Sequence, residues 1–80
     1  MGRKYSELLK LKGKITEKNE TIKSVAKKAG MSRNTLGNKL DGKTSFTIAE
    51  IYKISDILDI SSEEVVKYFF TDWSQNENQI

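Results

Sequence analysis

The sequence predicts an all-α fold of five short helices in one domain, and three observations carry that expectation. Apolar residues recur at intervals of three and four along most of the chain, and no stretch alternates between apolar and polar residues as a half-buried strand would. Hydroxyl residues stand before four of the periodic segments, at Thr21, Ser32, Thr47 and Ser61, where a side-chain oxygen can accept from the free N–H groups of an opening helical turn. No proline interrupts any segment. A chain of 80 residues buries only about 60 to 65% of its unfolded surface, which suffices for a single small domain. Residues 1–70 are read as that domain and 71–80 as a flexible polar tail.

The first helix is expected from Tyr5 to about Lys18, with Tyr5, Leu8, Leu11 and Ile15 on its apolar face and Lys10, Lys14 and Lys18 opposite. Gly13 falls inside it, either as a weak point worth roughly 1 kcal/mol relative to Ala or as a place where a neighbour comes close. Asn19 suits a left-handed stop, with Glu20 in the loop after it.

Thr21 to Gly42 then reads as two helices joined by a tight turn. Thr21 caps the first and Gly30 ends it, while Ser32 caps the second, with Met31 and Leu36 spaced as a hydrophobic staple across that cap. Ile22, Val25, Ala26 and Ala29 form one buried face, and Leu36 and Leu40 form the other. A methyl-sized Ala26 at the crossing lets the two axes approach steeply, which is the geometry of a helix-turn-helix.

Thr47 and Glu50 have the spacing of a capping box, and Phe46 staples onto Ile51 to open a fourth helix from about Ile48 to Asp59. Ile48, Ile51, Ser55 and Leu58 are expected to face inward with Ile54 beside them, leaving Ile57 on the far side without an intramolecular partner. Ser61 and Glu64 repeat the box, and Ile60 staples onto Val65, for a fifth helix running to about Phe70. Tyr68, Phe69, Phe70 and Trp73 crowd the end of the domain. They either cover the core or, since adjacent Phe69 and Phe70 cannot both turn inward, form a self-association surface together with Ile57.

Composition removes several classes of function. The chain has no cysteine and no histidine, so thiolate zinc sites and the usual general base are absent and no metal or cofactor is implied. Its five glycines match neither a P-loop nor a dinucleotide fingerprint, and Glu63 and Glu64 are helix neighbours that do not face each other, so no enzyme is expected. With no apolar run longer than Tyr68 to Phe70, no membrane is expected and the cytoplasm is the natural compartment. Net charge is +3, but residues 1–43 hold twelve Lys and Arg against four acids, while residues 44–80 hold two against seven. Such segregation points to a polyanionic partner for the basic half.

That basic half holds the helix-turn-helix, whose second helix, residues 32–41, would enter a DNA major groove by its N-terminal end. Ser32, Arg33, Asn34, Thr35, Gly37 and Asn38 would then meet base edges: Arg33 suits guanine, Asn34 or Asn38 suits adenine, and the Thr35 methyl suits thymine. Gly37 would let the helix sit deeper. Thr21, Lys23, Lys27, Lys39 and Lys43 would hold phosphates.

In Thr21, Val25, Ala26, Gly30, Met31, Ser32, Leu36 and Leu40 the chain resembles the phage Cro and repressor type of helix-turn-helix family, with its lambda-repressor-like DNA-binding fold. The likeness is closest to small Cro-like phage proteins, a group that includes lactococcal-phage modulators of repression, and it extends more loosely over residues 5–70. Ile22 stands where that family commonly has a phosphate-contacting Gln. The resemblance implies a transcriptional regulator that occupies a double-stranded DNA operator as a homodimer. As the alternative it admits an antirepressor, which binds a phage repressor protein through the same region and alters its operator binding.

Overall fold

The computed structural model describes residues 7–70. Helix α1 (Leu9–Glu17) begins without a side-chain cap, and the Leu8 N–H donates instead to the Leu40 carbonyl at 2.8 Å, tying the start of this helix to the end of the helix expected over residues 32–41. Leu8, Leu11 and Ile15 are buried as their spacing requires, whereas Tyr5 lies outside the described residues. Asn19 takes the left-handed conformation (φ 60) and turns the chain away.

Gly13 is exposed, and a Cβ built on it would meet nothing within 4 Å, so no neighbour needs its bareness. It is a helix interior carrying needless backbone freedom. Gly13→Ala is expected to raise stability by about 0.5–1 kcal/mol in urea unfolding, and an unchanged or lower midpoint would show that the position needs glycine.

Helix α2 (Ile22–Ala29) and helix α3 (Arg33–Leu40) form the expected pair. Gly30 ends α2 in the left-handed region (φ 78), where a Cβ would be strained, and Met31 N–H closes the turn onto the Ala26 carbonyl at 2.9 Å. Gly42 (φ 83) turns the chain after α3 in the same way. Helix α4 (Ile48–Leu58) opens with both halves of its capping box made: Thr47 Oγ1 accepts from the Glu50 N–H at 3.1 Å, and Glu50 Oε1 accepts from the Thr47 N–H at 2.9 Å.

The fifth helix departs from its expected form. The Ser61 hydroxyl meets the Glu64 carboxylate at 3.4 Å instead of accepting from backbone, so the uncapped opening turn tightens into a 3-10 turn (Ser62–Glu64) and α5 spans only Val65–Phe69.

One core joins all five helices: Leu8, Leu11 and Ile15, then Val25, Ala26 and Ala29, Leu36 and Leu40, Ile51, Ile54 and Leu58, with Ile60 and Phe69. Two expectations for α4 fail for one geometric reason. At about 100° per residue, Ile51, Ile54 and Leu58 centre the buried stripe about 90° away from both Ile48 and Ile57, on opposite sides. Ile57 leans onto the core from one edge and is half-buried, so it has the partner it was thought to lack. Ile48 is turned out, 69% exposed, beside Tyr52.

The aromatic cluster divides. Phe69 is core, meeting the Phe46 ring edge-on with centroids 5.2 Å apart, and Tyr68 is half-buried against the same cluster. Phe69 is thereby withdrawn from a self-association surface, whereas Tyr68 and Ile57 keep part of their surface in water. Phe70 alone of the described set stays turned outward, 41% exposed, and Trp73 and the tail 71–80 lie outside the described residues.

Candidate functional site

Ser32 places α3 by accepting from the Thr35 N–H at 3.0 Å, while Met31, Leu36 and Leu40 pack its back onto the core. The face left outward carries Arg33, Asn34 and Thr35 exposed and Gly37 and Asn38 half-buried. Arg33, Asn34, Gly37 and Asn38 join Ile22, Asp41 and Lys43 around a hollow of about 300 Å³. Five of the residues nominated from the sequence are therefore brought together. Asp41, which was not, is held by Lys12 of α1 at 3.0 Å, a partner 29 positions away that no local pattern signals. The Lys12 ammonium also meets Glu7, and these two carboxylates hold its pKa above the ordinary value. Because Asp41 is answered from behind, Arg33 and Lys43 keep their charge unneutralised by any described residue.

Several other nominations are corrected. Lys39 is only 9% exposed, and its Nζ lies 2.7 Å from the Ser45 carbonyl, 3.1 Å from Glu50 and over the Phe46 ring. It fastens α3 to the connector and to the start of α4, and it is not available to a phosphate. Thr21 makes a capping box of its own: its hydroxyl accepts from the Ser24 N–H at 3.0 Å, and its N–H donates to Ser24 Oγ at 2.9 Å, so of its polar groups the O–H is the one left to donate. Ser32 and Thr35 are bonded to each other, with hydroxyls 2.8 Å apart, leaving less polar capacity for bases than their exposure suggests.

Ser24 and Glu20 were missed. The Ser24 hydroxyl donates to Glu20 at 2.6 Å, and Lys28 meets the same carboxylate at 2.6 Å. Lys28 first and Ser24 second hold the Glu20 carboxyl below its ordinary pKa. A serine three residues after a capping threonine was the available signal. After these subtractions Lys23, Lys27, Arg33 and Lys43 remain exposed on or beside α2 and α3, each without an ion pair to another described residue.

A model of the family described as "Protein of unknown function (DUF739)" matches residues 1–72. The chain belongs to that family. Among solved structures, this DUF739 chain is similar to the modulator of repression (MOR) of the temperate bacteriophage TP901-1 from Lactococcus lactis, with a TM-score of 0.70 and 34% sequence identity. The match covers 88% of the DUF739 chain and 95% of that one, so the likeness runs along nearly all of both chains. No curated protein matches. Among the described residues of the DUF739 chain, no helix is long and apolar enough to cross a membrane.

Proposed function

We propose that the chain modulates repression: it binds a phage repressor protein and alters that repressor's hold on its operator. The observation that carries this reading is the end-to-end likeness to a phage modulator of repression, at an identity high enough to reflect more than a shared architecture. The state of the expected DNA contacts supports it. Lys39 is bonded internally, Ser32 and Thr35 are bonded to each other, Gly37 offers no side chain, and Ile22 offers an apolar one. Of the side chains expected to meet bases, Arg33, Asn34 and Asn38 are left without a bond to another described residue, so the helix would read few bases.

The test is a titration of the purified chain against the repressor encoded by the same phage genome, and separately against the operator duplex, at about 50 and 200 mM salt. Binding to the repressor at both concentrations, with altered operator occupancy and no retention of duplex alone at the higher salt, is the expected result. Duplex binding without repressor binding would overturn it.

A second reading is favoured by one observation, the four cations Lys23, Lys27, Arg33 and Lys43, unpaired among the described residues, beside Asn34 and Asn38. These suit a DNA-binding regulator of its own operator, acting as a homodimer because a monomer this small spans few base pairs.

A further inference from the structure

We infer that the surface which meets the repressor is the outer stripe of α4, with Ile48 and Tyr52 as anchors and Asp56 beside them, and that its occupant is the cationic DNA-reading helix of the repressor. The inference rests on the repressor-binding reading above and assigns it a face other than α3.

Ile48 and Tyr52 are 69% and 73% exposed, the highest values among the large apolar residues described. With Asp56 they stand at four-residue intervals, so all three fall in one row, and exposed Ala49 and Lys53 flank it. The row lies on the side of α4 turned away from Ile51, Ile54 and Leu58. An aromatic and a branched aliphatic side chain, both in water and adjacent, are what a protein interface uses as its centre, where hot spots favour tyrosine.

Charge selects the occupant. Any repressor that grips an operator carries lysine and arginine on the surface that reads it. The α2–α3 face of the present chain is itself cationic through Lys23, Lys27, Arg33 and Lys43, so placing it on such a surface sets like charge against like. Residues 44–70 have the opposite balance, with Glu50, Asp56, Asp59, Glu63 and Glu64 against Lys53 and Lys67. Of these groups, Asp56 and Glu63 on the acidic side and Lys53 on the basic side make no ion pair with another described residue, which leaves the segment's free charge net negative by one. An apolar anchor edged by a free carboxylate is complementary to a basic helix. Docked there, the chain would cover the groups the repressor needs for DNA, while leaving its own α3 face open.

Calorimetric titration of the repressor from the same phage genome tests this, using the full chain and its Tyr52→Ala, Ile48→Ala, Asp56→Lys and Arg33→Ala variants. All four side chains are exposed, so melting curves are expected to stay near that of the parent. Tyr52→Ala and Ile48→Ala are each expected to weaken repressor binding about tenfold or more. Asp56→Lys should weaken it most at low salt, Arg33→Ala should leave it within about twofold, and operator duplex should compete with the chain for the repressor. If the parent binds while Tyr52→Ala and Ile48→Ala both stay within about twofold, or if Arg33→Ala alone abolishes binding, the face is wrong and the repressor-binding function stands. A parent that does not bind the repressor removes the function and the inference together.

Discussion

Leu36→Ala is expected to lower stability by about 2–5 kcal/mol, because Leu36 is fully buried where α2 and α3 cross and its loss leaves a cavity as well as unburied surface. A domain of 80 residues holds roughly 4–12 kcal/mol in all, so the variant would be partly or wholly unfolded at 37 °C. The neighbour Asn34 supplies the control. It is exposed, and Asn34→Ala should stay within about 0.5 kcal/mol of the parent. Urea midpoints followed by circular dichroism compare the two variants directly. A loss below about 1 kcal/mol for Leu36→Ala would mean that the crossing of α2 and α3 is not packed as described.

The reason Leu36 could be singled out from sequence is that it sits among local rules. Caps at Thr21, Ser32 and Thr47, the left-handed stops at Asn19 and Gly30, and three-and-four spacing of apolar residues all act within a turn or two of chain, and each is found where those rules place it. Periodicity falters where the buried stripe is narrow. Ile48, Ile54 and Ile57 are the same residue type on one helix, and only the packing direction of α4 decides that Ile54 is buried, Ile57 leans on the core and Ile48 is in water. The last helix shows the limit of reading caps as well, since Ser61 and Glu64 have the right spacing and yet bond each other, side chain to side chain.

The candidate site was legible to a lesser degree, because charge counted along a sequence does not say which charges are already answered. Lys39 looked like Lys23 and Lys27, yet a connector six residues later brings Ser45 and then Glu50 onto its ammonium. Asp41 carries no signal of its own in the sequence and holds Lys12 from another helix. Pairings across distant segments follow from topology, and once they are made the positive field of residues 1–43 narrows to a few free groups around α2 and α3. The outer row of α4 escaped notice for the converse reason: Ile48 reads as core until the helix is oriented.

The Lys39–Glu50 pair is expected to be the second large contributor to stability. Their side chains are only 10% and 22% exposed, so replacing either partner leaves the other poorly solvated beside Phe46. Lys39→Met keeps the apolar stem but removes the bonds to Ser45 and Glu50, and a loss of roughly 2–3 kcal/mol is expected, below the range for wholly buried pairs because some water reaches Glu50. Combining it with Glu50→Gln in a double-mutant cycle should give a coupling of about 1 kcal/mol or more. The pair also sets an acid limit. The Thr47 backbone N–H, and then Lys39, hold the Glu50 carboxyl below its ordinary value of 4.5. A carboxyl whose folded pKa is depressed stabilises the fold fully above its unfolded value, and that contribution disappears as pH falls through the folded value. Parent and Glu50→Gln stability curves should therefore lie apart at neutral pH and converge below 4.5. Curves that stay parallel through that range, or a coupling under about 0.3 kcal/mol, would show that Lys39 and Glu50 do not act on each other, and the fastening of α3 to the start of α4 would have to lie elsewhere.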